Sequence, residues 1–578
     1  SIFFPYITGK AFLFRILVEL ATLLYIVLAL FDRSYLPKKS LILGGVVAFT
    51  AILGLATLNS EDPSKSFWSN FERMEGYVTI LHLLFFFIVT TSVFRTKKMW
   101  YGLLNTSLAL SVVTGFRAFA DYDPSKDGSF IVEFFRGIKM FFLVLFGKTT
   151  ETVRVAGTLG NSSYLGVYSL IHVFLGALLY TTHSSIKKFK ESWVVSSLYI
   201  VAIVFNILVL YNTGTRGSFV GLVAGVFVAA LIPLCIILFG KSSVSDSTKS
   251  TIKKVSAVSL AVIIIAVSLL GIYKDSAFVK KSDLLNRFSS LVTFDLKSVL
   301  DTQGKARTML WAMAFKGVEE RPILGWGQDN FPYVFAKYYD PKMYDQEQWF
   351  DRTHNVFFDW LIAGGILALL SYLALFVVLL ITLWKKVKFN QHNHTYDILE
   401  KSILTGLLTA YFVHNLFIFD NLVSYILFFI LLAYVNQSAL TEESVLSPIV
   451  SKLKNVYDRL VKRDGVLDTM TARILIILIA VLAFGYVSNE AVYKPYMAGT
   501  TLIDALKLSQ PEAAKYLGEQ ATSPAVILAN FQKALSYNTF GNTEIRERLA
   551  ETVPDIVSKS KDQDASKALT GLVASEFE

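Results

Sequence analysis

The chain has 578 residues, of which 53% are apolar and 17% charged, with a mean hydropathy of +0.50. Soluble domains carry about 25% charge and seldom run past about 300 residues. Several runs here exceed about 17 residues without a charge, enough to cross a bilayer, so a soluble cytoplasmic enzyme is excluded. The net charge is +10, but the basic residues fall mostly in short loops between apolar runs, where charge sets orientation. Nucleic acid is therefore a poor partner. The single Cys235 lies inside an apolar run, which excludes a disulfide framework and a cysteine metal cluster. The chain opens on Ser1 and the apolar SIFFPY, which reads as a fragment lacking an upstream segment rather than a signal peptide.

In chain order, about twelve spanning helices are predicted, at 12–31, 41–58, 77–94, 99–118, 157–182, 193–212, 217–239, 255–272, 356–384, 402–418, 422–440 and 472–493. A lone apolar run must satisfy its own backbone in lipid, so only helices serve. The runs lack the period-2 alternation of a β-barrel. The fold class is all-α and polytopic. Alternate loops are basic: Arg33, Lys38 and Lys39; Arg95, Lys97 and Lys98; Lys187, Lys188 and Lys190; Lys241, Lys249, Lys253 and Lys254; Lys385, Lys386 and Lys388; and the run 441–471. These belong in the cytoplasm. Loops 59–76, 119–156, the turn near Arg216, 273–352, the turn at Asp420 and everything after 494 then face outward.

Two parts lie outside the membrane. Loop 273–352 is too long to be passive, and its ARTMLWAMAFKGVEERP places Met309, Met313 and Phe315 at helical spacing. Residues 1–494 are expected to form the transmembrane unit and 495–578 a helical tail. The stretch NFQKALSYNTFGNTEIRERLAE looks like part of a TPR-like unit, although one unit is too little for a repeat array. The segment FIVEFFRGIKMFFLVLFG (130–147) carries Glu133, Arg136 and Lys139 within about two turns, and reads as an interfacial helix lying flat.

Five settings carry candidate chemistry. Arg216 in NTGTRGSFVGLVAG sits at a Gly/Thr turn beside open amides of the next helix, a setting suited to a diphosphate. The bland reading is a snorkelling arginine. Arg154 in VRVAGTLGNSSYLG repeats that setting. Arg307 and Arg321 lie on the outer loop, in GKARTMLW and EERPILGWGQDNF, where a solvated surface arginine is the ordinary alternative. His354 and Asn355 in DRTHNVFFDWLIAGG sit where that loop enters a membrane helix. Asn is an ordinary cap there, whereas His, one of only seven in the chain, has the pKa of a general base. Asp351, Arg352 and Asp359 flank it. His414 and Asn415 near Asp420 are polar in an apolar span, by cavity lining or by plain helix packing. Arg73, between Glu72 and Glu75, reads either as an interfacial cap or as a head-group contact. There is no Walker motif, dinucleotide loop or zinc signature, so energy for any reaction comes with an activated substrate.

Taken together, VRVAGTLGNSSYL, TGTRGSFVG, ARTMLW with ERPILGWGQDNF, and RTHNVFFDWLIAGG resemble the O-antigen ligase and O-antigen polymerase superfamily of bacterial envelope proteins, over roughly 60–440. The resemblance implies a glycosyltransferase at the outer leaflet of the cytoplasmic membrane. It would move a glycan from an undecaprenyl-diphosphate carrier to an acceptor hydroxyl, with no cofactor or metal. By motif, Arg216 and Arg307 match diphosphate-binding arginines and His354 the base. Arg321, Arg154 and Arg73 match substrate-binding positions less closely, and Asn355 and His414 are added as substrate contacts. The tail and the 441–471 loop go beyond the short ligases, leaving the acceptor open among lipopolysaccharide core, growing glycan and protein. The competing readings are a polysaccharide polymerase, a polar-solute transporter, which should show inverted repeats, and a membrane-anchored scaffold.

Overall fold

The computed structural model describes residues 6–123, 129–146, 153–186, 193–239, 246–281, 305–345, 349–385, 397–437, 469–510, 522–559 and 562–577, with positions 286, 288, 289, 518 and 520. The basic residues Lys187, Lys188, Lys190, Lys241, Lys386 and Lys388, and most of the run 441–471, lie outside them.

The chain is all-α. Its helices are α1 (Tyr6–Phe31), α2 (Leu41–Leu58), α3 (Pro63–Trp68), α4 (Tyr77–Val93), α5 (Lys97–Phe119), α6 (Phe130–Leu145), α7 (Ser162–Ile186), α8 (Trp193–Asn212), α9 (Arg216–Phe239), α10 (Asp246–Ile272) and α11 (Ala277–Lys281). They continue as α12 (Lys305–Glu320), α13 (Phe331–Lys337), α14 (Val356–Trp384), α15 (Ile398–Asn415), α16 (Leu422–Asn436), α17 (Thr469–Ser488), α18 (Lys494–Leu508), α19 (Pro524–Ser536), α20 (Asn542–Lys559) and α21 (Gln563–Phe577). Each of the twelve predicted spans is a helix. Among the described residues nine helices are long and apolar enough to cross a membrane, and α4 and α16 are shorter apolar helices. The remaining one, α15, starts earlier than the apolar pattern suggests. Asp397 caps it through Glu400 N while the Glu400 side chain returns to Asp397 N, a reciprocal cap that fixes the start.

Small residues set two close contacts that matter for the site. Along α9, Gly221 and Gly225 face the Ala410 and Gly406 carbonyls of α15, and a Cβ at either would come within 2.5 Å. This small-residue seam lets the backbones approach and fixes Arg216, at the head of α9, beside the end of α15. In α14, Gly364 and Gly365 break the helix, with Gly365 at φ 64. The outer loop is stitched into that break: Trp326 N donates to Ile362 O (2.7 Å) and Ile366 N to Pro322 O (2.8 Å).

The sidedness follows from contacts. Arg73, before α4, donates to the Tyr164 hydroxyl at the head of α7 (2.7 Å) and to Asp351. With α4 and α5 crossing between Arg73 and α6, the start of α7 shares Arg73's face only if α6 does not cross. The amphipathic α6 agrees. It leaves Phe130, Ile131, Phe135 and Phe142 exposed, while Arg117 pairs with Glu133 and Arg136 with Asp123.

Segments assigned outward from charge alternation meet one another at several points. Gln328 Nε2 donates to Glu75 O (2.7 Å), Glu61 N to Trp326 O (3.0 Å), Leu422 N to Glu75 Oε1 (3.0 Å) and Val155 N to Asn212 O (3.2 Å). The tail leaves the membrane as a near-continuous rod, α17 to α18, through a π-helical turn at Asn489–Tyr493. Helices α18 to α21 then bury Leu502, Ile527, Phe531, Ile545, Leu549 and Leu569 in one cluster, and that cluster runs on into Phe71, Met74 and Leu422 of the membrane part.

Candidate functional site

The site is built on the turn 350–355. Asn355 caps α14, accepting from Phe357 N (2.9 Å) and Phe358 N (3.3 Å), and its Nδ2 donates to Leu416 O (2.9 Å). Asp359, one turn into α14, accepts from Thr353 N (3.1 Å) and the Thr353 hydroxyl (2.8 Å). Arg352 completes the knot. Its guanidinium donates to Asp359 (3.0 Å) and Glu75 (3.0 Å), and Nε lies 3.8 Å from Asp329. These contacts over-determine the turn, which lets His354 hold φ 56, a backbone conformation that side-chain-bearing residues keep only under such constraint.

His354 is therefore presented in a fixed posture. Its Nδ1 lies 3.2 Å from the Arg352 carbonyl. A carbonyl only accepts, so Nδ1 carries the proton and the lone pair of the neutral ring sits on Nε2. Among the described residues Nε2 makes no hydrogen bond. Phe350 and Phe419 meet the ring edge-on at 5.6 and 5.2 Å. Burial, with the Arg307 charge assisting, holds the imidazole below its ordinary pKa, against the Arg352 carbonyl, Asp359 and Asp351. Neutral imidazole is the form a general base needs.

Arg307 reaches this place through α12. One turn on, Trp311 Nε1 donates to Thr353 O (3.0 Å) and its ring stacks on Phe358 at 6.0 Å. Leu310, Met313 and Ala314 anchor the same helix against Trp326, Phe331 and Ile362. Arg307 has no ion-pair partner among the described residues, and burial lowers its pKa. Arg73 is different. It grips Asp351 with two bonds, at 2.7 and 3.0 Å, and lies 5.0 Å over Phe419, as Arg352 does at 5.3 Å. Against the effect of burial, Arg73 holds the Asp351 carboxyl below the usual range. The inner network of Arg73 and Arg352 faces four carboxylates: Glu75, Asp329, Asp351 and Asp359. Burial pushes Glu75 up to about 7 and raises Asp329.

Arg216 heads α9 after Gly214 at φ 60. Beside it, Gly217 packs on Phe417 and His414 O, so Arg216 abuts the 414–419 segment that also touches Asn355 and His354. Arg154 braces the same turn, Nε donating to Thr213 O (3.0 Å). His414 is buried, with Nδ1 3.1 Å from the Ser218 hydroxyl, which makes it a helix-to-helix contact of α15 and α9. Arg321 is held elsewhere: it pairs with Glu61 and covers Trp326 at 4.2 Å, pinning the 321–327 turn. The structure thus gathers His354, Asn355, Arg307 and Arg73 around the 350–355 turn, with Arg216 and Arg154 on the neighbouring one.

Two participants carried no sequence signal as partners: Tyr164 and Phe419. Asp329 had a faint one, the polar run Gln328–Asp329–Asn330 in an otherwise apolar, glycine-rich turn.

A family model described as O-antigen ligase matches residues 201–373. The match places this region in the O-antigen ligase superfamily. It takes in Arg216, Arg307, Arg321, His354 and Asn355, and runs from within α8 to the middle of α14. Arg73, Arg154, His414 and the tail fall outside it. No curated protein matches the chain. The region is that of a glycosyltransferase-like family carried on a multi-pass membrane protein.

Proposed function

We propose that the protein transfers a glycan from an undecaprenyl-diphosphate carrier to an acceptor hydroxyl, at the outward face of the bacterial cytoplasmic membrane. The observation that carries the reading is the posture of His354: Nδ1 tied back, Nε2 open, pKa lowered, and a guanidinium without a carboxylate alongside. In this reading the acceptor hydroxyl gives its proton to His354 Nε2. Its oxygen bonds the anomeric carbon, and the bond from that carbon to the diphosphate oxygen breaks, its electron pair leaving with the carrier. Attack from the far side inverts the centre.

The leaving diphosphate gathers about two to three negative charges, and preorganised cations lower the barrier most when aimed there. Arg307 and Arg216 fill that role, with bidentate donors that cannot lose their charge; the reading calls on no divalent ion. Arg73, Arg154 and Asn355 hold the neighbouring turns, through Asp351, Thr213 O and Leu416 O respectively. His414 and Arg321 support α9 and the outer loop.

The test is incubation of the purified full chain with a polyprenyl-diphosphate oligosaccharide and candidate acceptors, read by mass. One transfer product marks a ligase and a ladder of products a polymerase. His354→Ala should lose about 10²–10⁴-fold in transfer while carrier binding survives. Full activity of that variant would remove the base assignment.

A further inference from the structure

The loop that carries Arg73 is held from the far end of the chain. Phe540 lies flat on Trp68 at 5.5 Å, with 6° between the rings, and leans on Phe71 at 5.1 Å. Gly541 passes under Phe71 so closely that any Cβ would overlap the ring. Glu544, in the first turn of α20, accepts from Phe71 N (2.7 Å). From the other side Arg15 donates to Met74 O (3.1 Å) and lies 5.9 Å from the Phe540 ring.

Within the loop, Asn70 accepts from Arg73 N (2.7 Å) and Met74 N (2.9 Å), and contacts from outside add to these. Ser69 and Met74 sit at φ 68 and φ 52, conformations that persist only where the surroundings impose them. A buried amide such as that of Phe71 needs an acceptor, and Glu544 supplies one. Arg73 is the next residue but one, and its reach to Tyr164 and Asp351 depends on where residues 71 and 72 stand.

We propose that Glu544 is a positioning residue for the candidate site: by accepting the Phe71 amide it sets the loop so that Arg73 meets Asp351 beside His354, making the tail part of the reaction centre's support. The proposal rests on the glycosyltransfer reading for its catalytic consequence, but not for the contact itself. Burial pushes the Glu544 carboxyl up to about 8, against the Phe71 amide it accepts. A neutral glutamine, which keeps an acceptor oxygen, is therefore a close mimic.

The experiment compares the full-length wild type with Glu544→Ala, Glu544→Gln and Leu549→Ala, the last loosening the shared apolar cluster without removing a hydrogen bond to the loop. Amide hydrogen exchange over 69–76 and the pH profile of glycan transfer are read together. His354 faces Arg307, Asp351, Asp359 and the Arg352 carbonyl. When Arg73 leaves Asp351, that carboxylate bears on His354 uncompensated and raises its pKa. Glu544→Ala should open exchange at Phe71, lower transfer roughly tenfold to a hundredfold as expected for a misplaced group, and move the acidic limb to higher pH. Arg73→Ala should move the limb the same way. Glu544→Gln should restore exchange, rate and limb, while Leu549→Ala lowers thermal stability and leaves the limb in place. Unchanged exchange in Glu544→Ala, or a limb like that of the wild type, overturns the proposal. If the wild type transfers no glycan, the functional reading fails by itself, and the exchange data still decide whether Glu544 holds the loop.

Discussion

Glu75 is where the buried charge network can be weighed. Its carboxyl is 1% exposed, 3.0 Å from the Arg352 guanidinium, and accepts from Leu422 N at 3.0 Å. Two guanidiniums serve four carboxylates here, so they cannot hold every carboxylate ionised. Burial outweighs Arg352 and Arg73, and Asp329 adds to the push, taking Glu75 from 4.5 to about 7. The folded state thus holds this proton more tightly than the unfolded chain. Stability from this group is full below about pH 4.5 and is lost as pH rises through about 7. A shift of that size corresponds to about 3 kcal/mol. Glu75→Gln keeps acceptor oxygen for Arg352 and Leu422 N but does not titrate. Relative to the wild type, the variant should gain up to about 3 kcal/mol between pH 5 and pH 8. Thermal unfolding of both proteins in detergent across that range measures the gap. A gap that stays constant with pH would mean that Glu75 is ionised throughout, with the Arg352 pair overcoming burial, and would refute the reasoning.

Two further outcomes follow from single contacts. Arg307→Gln removes a positive charge acting on His354, so the imidazole pKa rises and the acidic limb of the transfer profile moves to higher pH; a limb that stays put would separate the two residues. Gly365→Ala puts a Cβ onto the Ile323 backbone at φ 64, which costs about 1–3 kcal/mol in strain with the carbonyl overlap in addition, and should appear as a lowered midpoint with faster exchange over 321–327.

The membrane helices were legible because lipid leaves a long apolar run few choices. That these loops share one face was legible because each crossing reverses the side. The gathering of His354, Asn355 and Arg307 was foreshadowed by motifs lying close in the chain or at one loop's two ends. What could not be read was which arginines are already spent. Arg73 and Arg321 find their carboxylates at Asp351 and Glu61, and Arg352 finds one of its three at Glu75, each more than 250 positions away, and local pattern is blind to pairing at such range. Glu544 was hidden for a different reason: an acid in the first turn of a helix is what the helix dipole favours anyway, so its reach to another loop leaves no mark on the sequence.

The arginines therefore divide by partner rather than by motif. Arg73 and Arg352 belong to carboxylates and serve to fix Phe419 and the 350–355 turn, and Arg321 serves the outer loop. Arg307 is desolvated with no ion-pair partner among the described residues. A partly buried cation without an anion is costly to keep, and packing alone does not call for it: a methionine would fill the place on α12 at less cost. Its presence beside an open imidazole nitrogen is best accounted for by an anion that arrives with the substrate. A diphosphate meets that need while it is bound and becomes more negative as its glycosyl bond breaks, so the same guanidinium would hold the transition state more tightly than the ground state.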